Sequence, residues 1–455
     1  MTDMQEFAWQ RYPHAEAYLR ERFDDLVAAM PDARAFSSAL LTHTGSLLFD
    51  WLDHLVLVDG EVPRQQLEQL GFEPEDVPAD AGSQVLYHPG AIFPRILLRN
   101  SDGREPGATL AAAIQVEDVA AFLMANHLPE TIEGTTLSPF RRASLWRDNG
   151  LEFQAVERRG HPDFVPTEMP ADYPTRYLNA YERWATRPRD FEDERTGMEQ
   201  TLQLARSLVS AMGTDTAAWI AFSGERTHWQ QRNHAAEVQK ANQDRLGMGW
   251  ANHDHHTFRS SRHVFPLLVQ ILETFGFHPR ERFYAGAQAG WGAQVMEQPV
   301  CRLAVFADVD LTPEEVEGDF AHNPLPSLQD MGTVGLWCAL HGEAMLSAGL
   351  HHLAARFDFD AAAEHLASQG VDFMRPFSDF SYLRQAFSRG ERWQVDASRL
   401  DRLVASGKID EEKRTVFAEK GAIGSHLENI QRGEGFKGFN QQTISDIIRR
   451  TDPRN

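Results

Sequence analysis

Apolar residues follow two different spacings in this chain. From Tyr18 to Met30 they recur every three or four residues, with Leu19, Phe23 and Leu26 between them, which is the pattern of an amphipathic helix. Beyond residue 50, short apolar runs bounded by glycine and turn residues predict strands that alternate with short helices. The first fifty residues are therefore predicted to be helical, and the rest to mix strands and helices.

The predicted elements occur in the same order twice. In the first half they are a strand at 51–58, a helix at 63–70, strand-like segments at 83–87 and 92–99, a strand–helix pair at 109–123 and strands within 142–157. In the second half they are a strand beginning at Asp254, a helix at 265–275, strands at 292–296 and 300–309, a strand–helix pair at 350–366 and a closing strand at 423–431. This order indicates a duplication. It predicts an α+β fold in which tandem βαβββ modules form curved half-barrel sheets.

The stretch between the two halves, residues 167–246, carries proline and charge first and helical periodicity afterwards. Met198, Leu202, Ala205 and Leu208 would share one face of a helix. A structureless loop of that length would be unusual in a compact domain, so we expect an inserted helical segment. The expected units are a helical amino-terminal segment (1–50), a degenerate first module (51–166), the helical insert (167–249) and a second module that ends in a carboxy-terminal helix (250–455).

Composition narrows the classes of protein to consider. The formal net charge of −22 over 455 residues argues against a nucleic-acid partner, because phosphate binding needs a cationic face. No apolar run approaches the roughly 20 residues that span a bilayer, and the first ten residues lack the order of a secretory signal. With only Cys301 and Cys338, no disulfide framework is expected, which favours a reducing cytoplasm.

Three residues in the second half could hold a metal ion. His255, His352 and Glu428 each lie in a segment predicted to be a strand. Two imidazoles and one carboxylate on one side of a metal leave the other side open, as in non-haem Fe(II) oxygenases. The adjacent His253, His256 and His351 leave the two histidine positions open at this stage. Strand alternation allows only one residue of each adjacent pair to face a cavity.

Candidate substrate-binding residues accompany these ligands. Arg259 lies four residues after His255, hence on the same face of the strand, and a guanidinium there would bind a substrate carboxylate. Ser381, Arg384 and Gln385 lie on or beside a predicted strand between the second and third ligands. Residues 433–439 form a glycine-rich loop before a predicted helix at 440–450. That segment could close over the site as a lid or simply cap the fold.

The first half is an internal comparison for the site. His54 lies at the start of its first strand, but Thr109 is expected at the position equivalent to His352. Its closing strand offers Glu152 or Glu157. Because a single histidine cannot hold a catalytic metal, the first half is expected to have lost the site, and His54 is expected to be structural.

At these residues the chain resembles the vicinal-oxygen-chelate superfamily, and more narrowly the 2-oxoadipate dioxygenase/decarboxylase (hydroxyglutarate synthase) family. Asp254-His255-x-x-x-Arg259 resembles the family's first metal strand, and residues 298–313 resemble the strand and turn after it. Residues 341–353 are similar to its second metal strand, and Leu383-Arg384-Gln385 to its substrate strand. Residues 424–433 resemble its third-ligand strand, and with the Gly-Phe segment that follows they are also similar to the end of 4-hydroxyphenylpyruvate dioxygenase.

The resemblance implies a function. Fe(II) would be held by His255, His352 and Glu428, a 2-oxo acid would chelate the metal beside O₂, and CO₂ would be released. Arg259 would neutralise one substrate carboxylate and Arg384 the distal carboxylate of a diacid. The best expectation is conversion of 2-oxoadipate to 2-hydroxyglutarate. Alternatives are an aromatic 2-oxo acid or extradiol dioxygenase, a glyoxalase-like isomerase, or a non-catalytic binding protein. Iron against manganese and the oligomeric state stay open.

Overall fold

The computed structural model describes residues 9–101, 103–284 and 290–440. Within these ranges the chain forms two curved, open β-sheets, one in each half, with helices packed on their outer faces. Each sheet contains two βαβββ units. The predicted α+β class with tandem βαβββ modules is therefore confirmed.

The helices are α1 (Pro13–Ala29), α2 (Pro31–Thr44), α3 (Glu61–Gln69), α4 (Val119–Ala125), α5 (Tyr173–Ala185), α6 (Glu194–Met212), α7 (Thr214–Gln230), α8 (His234–Asp244), α9 (Phe265–Thr274), α10 (Thr333–His341), α11 (Phe359–Ala367), α12 (Ala397–Ala405) and α13 (Glu411–Lys420). The strands of the first sheet are β1 (Leu52–Val58), β2 (Glu73–Glu75), β3 (Ser83–Tyr87), β4 (Arg95–Arg99), β5 (Thr109–Gln115), β6 (Ile132–Glu133), β7 (Phe140–Asp148) and β8 (Leu151–Arg158). Those of the second are β9 (His253–Arg259), β10 (His278–Tyr284), β11 (Trp291–Gln298), β12 (Leu303–Asp310), β13 (His352–Arg356), β14 (Ser378–Phe380), β15 (Leu383–Phe387), β16 (Glu391–Trp393) and β17 (Ala422–Arg432).

The two sheets share one topology. The first has the order β2-β3-β4-β1-β5-β8-β7-β6, and the second has the order β10-β11-β12-β9-β13-β17-β15-β14, with β16 also paired to β17. In each sheet the first strands of the two units are antiparallel neighbours at the centre. The last strand of the second unit, β8 or β17, lies parallel to β5 or β13. Segments far apart in sequence therefore meet at the middle of each sheet.

Strand alternation separates the core from the concave face of the second sheet. Phe258 points outward and packs with Phe222 and Phe277 under the inserted helices. Each of these rings is at most 3% exposed, and burying a side chain of this size contributes about 1.5–3 kcal/mol. His255 and Arg259 lie an odd number of residues from Phe258 on the same strand, so their side chains point to the opposite face, into the concavity.

A buried ion cluster connects the helical insert to the segment that leads into β13. Glu225 on α7 accepts hydrogen bonds from Arg187 and Arg189 at 2.7 Å. The same guanidinium groups donate to the carbonyls of Met345 and Leu346. Burial would raise the pKa of the Glu225 carboxyl, but the two arginines outweigh it and lower that pKa to about 2. The cluster therefore helps to set where β13 begins.

The amino-terminal helices pack on the first sheet, since α1 and α2 share a core with residues of β1, β4 and β5. The expected boundaries at residues 166 and 249 lie in connecting segments, and residue 50 lies in a 3-10 turn. The division into four units remains a proposal. The helix predicted at 440–450 falls almost wholly outside the described residues. No helix in the described part of the chain is long and apolar enough to cross a membrane.

Candidate metal centre

Three buried side chains converge on the concave face of the second sheet. The Nε2 atom of His255 lies 3.1 Å from Oε2 of Glu428, and Nε2 of His352 lies 3.2 Å from the same oxygen. One potential ligand atom from each residue lies within 4.8 Å of the other two. The structure thus brings together the three residues that the sequence singled out as ligands.

The pairing of β9, β13 and β17 explains this convergence. His352 lies opposite Thr257 across the antiparallel β9–β13 pair, two residues from His255. Glu428 lies opposite Ala354 across the parallel β13–β17 pair. Because side chains of adjacent strands at such positions share one face, the three strands each contribute one inward side chain.

The spacing suits an octahedral metal ion with three ligands on one face. Neighbouring ligand atoms about 2.1 Å from such an ion lie about 3.0 Å apart, and the two nitrogen–oxygen distances of 3.1 and 3.2 Å are close to this value. A donor set of two imidazoles and one carboxylate is that of non-haem Fe(II) sites. The residues therefore fit a divalent metal.

The electrostatics of this cluster favour a positive charge at its centre. Burial lowers the pKa of His255, but Glu428 and Asp254 outweigh it and raise that pKa to about 9. Burial would raise the pKa of Glu428, whereas the two histidines lower it to about 2. At neutral pH His255 is therefore protonated, and this positive charge lies beside the Glu428 carboxylate, where a metal cation would bind.

Neighbouring side chains hold the three candidate ligands in place. Asp254 accepts a hydrogen bond from Nδ1 of His255 at 2.9 Å. It also accepts hydrogen bonds from Nε and Nη2 of Arg432 at 2.7 and 2.9 Å. Gln385 donates to Oε1 of Glu428 at 2.7 Å, which turns Oε2 towards the histidines. Such outer partners fix the orientation of metal ligands and tune their basicity.

The other histidines in these strands make different contacts. Nδ1 of His253 contacts the Trp250 carbonyl, and His256 packs edge-on to Phe222 beneath the helical insert. His351 borders the cavity, but its Nδ1 contacts the carbonyl of Gly424. Among the adjacent histidines of the described chain, His255 and His352 are those whose nitrogens approach Glu428.

A mostly aromatic cavity opens beside the cluster. The enclosed space is about 70 Å³. The rings around it are those of Phe283, Trp291, Phe306, Phe377, Phe387 and Phe439. The loop that follows β17 contributes to this wall, because the Phe439 ring lies 5.1 Å from that of His255.

One guanidinium and one carboxyl also face this cavity. Arg259 and Asp308 are each 3% exposed, on adjacent strands, and the Arg259 Nε lies 3.9 Å from an Asp308 oxygen. Burial raises the pKa of Asp308 to about 8, although Arg259 and His255 oppose the rise. Most of the Asp308 carboxyl is therefore protonated at neutral pH.

Two of the expected substrate-binding residues do not face the cavity. Arg384 points to the opposite side of β15, where it binds Asp360 and Asp379 at 2.7 and 2.9 Å. Ser381 is exposed in the turn before β15. Strand alternation gives the inward position to Gln385. Contrary to expectation, neither Arg384 nor Ser381 lines the cavity.

The first sheet contains an altered version of the same arrangement. His54 pairs with Ala113, and Ala113 pairs with Gln154, as Ala354 pairs with Glu428 in the second sheet. Ala111, two residues before Ala113, therefore matches His352, so the expected Thr109 equivalence was wrong by two residues. Gln154 takes the place expected for Glu152 or Glu157. Within this half, only the histidine of the ligand set is kept.

Several residues of the site were not singled out from the sequence. Thr257 contacts Nε2 of His352 at 2.8 Å, and Asp254, Asp308 and the aromatic wall also belong to the site. Counting every second residue along the strand from His255 identifies Thr257 as well as Arg259. No local signal assigns the aromatic residues to this cavity, because they come from separate strands.

The fold and site define an α+β protein of paired βαβββ modules with one candidate mononuclear metal centre in its described residues. No family model and no curated protein matches the chain. Three similar solved structures are a variant of 4-hydroxymandelate synthase from Streptomyces coelicolor (13% identity, 88% of this chain and 98% of that chain, TM-score 0.29), a xylose isomerase-like TIM barrel/4-hydroxyphenylpyruvate dioxygenase fusion protein (14%, 89% and 52%, 0.23) and methylmalonyl-CoA epimerase from Mycobacterium tuberculosis (13%, 40% and 89%, 0.22). Similarity at this level assigns neither a family nor an activity.

Proposed function

We propose that this protein is an Fe(II)-dependent dioxygenase that oxidatively decarboxylates a 2-oxo acid. The observation that carries the proposal is the buried group of His255, His352 and Glu428 with a cavity beside it. The resemblance of these strands to the 2-oxo acid dioxygenases supports the same reading. Bound Fe(II) would supply the site at which O₂ is activated and the 2-oxo acid chelated.

The residues around the metal would have separate tasks. Asp254 and Gln385 orient His255 and Glu428 through the hydrogen bonds given above. Arg259 would neutralise the substrate carboxylate from the cavity wall, and the dry surroundings strengthen that pairing. The aromatic rings exclude water from the reacting end of the substrate.

The cavity wall favours a substrate with an apolar or aromatic side chain. Arg259 is the one Lys or Arg side chain in this wall among the described residues. Arg384, which a distal carboxylate would have required, lies outside it. A diacid would therefore place its second charge against aromatic rings, and burying an unpaired carboxylate there is unfavourable. An aromatic 2-oxo acid fits this wall better than 2-oxoadipate.

The test combines metal analysis with oxygen consumption. We expect about one iron per chain and O₂ uptake coupled to CO₂ release with phenylpyruvate, and slower turnover with 2-oxoadipate. Glu428→Ala is the inactive control. A folded, iron-loaded protein that consumes no O₂ with any 2-oxo acid would contradict the proposal. O₂ uptake with a catechol but with no 2-oxo acid would indicate a ring-cleaving dioxygenase instead, and a metal-free folded protein would indicate a binding function.

A further inference from the structure

A second cavity lies where the two halves of the chain meet. Its wall includes Asp50 and Arg95 from the first half and Arg302 and Arg356 from the second, and the enclosed space is about 260 Å³. It shares no lining residue with the metal cavity over the described part of the chain. The proposed dioxygenase reaction makes no use of it.

The wall of this cavity is rich in cationic side chains. Seven Lys and Arg side chains line it against four Asp and Glu, although the chain as a whole carries a net charge of −22. Six of the seven make an ion pair with a carboxylate: Arg20–Glu16, Arg95–Glu75, Arg280–Glu281, Arg302–Asp53, Arg432–Asp254 and Lys437–Glu297. With Asp50, seven carboxylates offset these seven cations, so the cavity is close to neutral within a strongly acidic chain.

Arg356 is the seventh. Its side chain makes no hydrogen bond or close ion pair within the described ranges, and its charge instead acts on Asp50 of the same wall, where it opposes the rise in pKa that burial causes. It projects from the end of β13 into the wall, and its Nε is buried without a partner. Arg280, on the same wall, also has a buried Nε without a partner, and its side chain is 8% exposed. Buried cationic donors of this kind are unfavourable unless an acceptor reaches them.

We propose that this second cavity binds a small multivalent oxyanion, either a phosphorylated or a polycarboxylate metabolite. Arg356 is the principal donor and Arg280 a second one. Guanidinium groups match phosphate and carboxylate oxygens in a bidentate way. A ligand with two or more charged oxygens can accept hydrogen bonds from Arg356 and from a second donor of the wall at the same time.

Isothermal titration calorimetry on the metal-free full-length chain tests the proposal, with pyrophosphate and citrate as probes at matched ionic strength. At least one probe should bind at a ratio of one per chain, and which one binds distinguishes phosphorylated from polycarboxylate ligands. Arg356→Gln should weaken binding by about tenfold or more, and Arg280→Gln should weaken it in the same direction. The second variant also covers the case in which the first does not fold.

Two control variants locate the site. Arg206→Gln removes the same charge from an exposed position on α6, and Arg259→Gln removes the guanidinium of the metal cavity; both should bind the probe as the unmodified chain does. The proposal is overturned if neither probe binds better than chloride, if Arg356→Gln and Arg280→Gln bind normally, or if Arg259→Gln abolishes binding. None of these outcomes depends on dioxygenase activity.

Discussion

Arg259→Gln removes the guanidinium that would bind the substrate carboxylate while it keeps a polar side chain at the position. Arg259 is 3% exposed, so the lost contact would be a charge-assisted hydrogen bond in a dry site. Such bonds contribute about 1.5–3 kcal/mol, which corresponds to a KM about 10 to 150 times higher. The iron content should not change, because Arg259 is not among the three ligands.

The substitution should also leave the protein folded. Burial raises the pKa of the neighbouring Asp308 to about 8, so at pH 7 about nine tenths of this carboxyl is already protonated. Without Arg259 its pKa rises further and the carboxyl becomes neutral. The variant therefore does not leave a buried, unpaired anion, which is the usual cause of large destabilisation on removing one member of an ion pair.

Arg384→Gln is the matched control for this prediction. Arg384 pairs with two largely exposed carboxylates, those of Asp360 and Asp379, and exposed ion pairs contribute at most about 1 kcal/mol. Its KM for phenylpyruvate, measured by O₂ uptake with iron-loaded protein, should stay within about twofold of the unmodified enzyme. A normal KM for Arg259→Gln, or an equal rise in KM for Arg384→Gln, would show that Arg259 does not bind the substrate carboxylate.

Three further predictions concern the metal, the insert and the cavity wall. His255→Ala should lose its iron and His253→Ala should keep it, as measured by elemental analysis of folded protein. Glu225→Gln should lower the free energy of unfolding at pH 7 by about 3 kcal/mol, since its pKa falls from 4.5 to about 2. In urea titrations that difference should shrink as the pH falls from 4.5 towards 2, where the unmodified carboxylate becomes protonated. Phe283→Ala should raise KM for phenylpyruvate more than for pyruvate, and equal increases would contradict an aromatic pocket.

Local patterns were sufficient for most of the fold. The strand predicted at 83–87 is β3, and the helix predicted at 265–275 ends one residue earlier as α9. These segments carry their own periodicity and glycine stops, so no distant partner is needed to recognise them. β14 and β16 are three residues each. Their hydrogen bonds come from β15 and β17, so nothing in their own sequence marks them as strands.

The site was predictable only in part, because the face of a strand depends on its register. Period two separates Arg384 from Gln385 but does not say which of them points inward. The antiparallel pairing of β15 with β17 settles this, since it brings Gln385 within 2.7 Å of Glu428. Likewise the register of β9 and β13, which places His352 opposite Thr257, sets which of the adjacent histidines meet.

The first half indicates what a metal site needs beyond a histidine at the right place. Asp53 binds His54 and Arg158 there, as Asp254 binds His255 and Arg432 in the second half, so this arrangement persists without a complete ligand set and has a structural role of its own. In the first half, however, Val56 and Val58 stand two and four residues after His54, where the second half has Thr257 and Arg259 after His255.

Those two valines pack with Phe164 and Leu97 into an apolar cluster on the concave face. The loss of two ligands and the filling of the concavity therefore go together, because an empty apolar concavity would forfeit packing energy. In the second half the corresponding polar residues keep space open beside His255. An open concave face is consequently as much a condition for the proposed chemistry as the three ligands themselves.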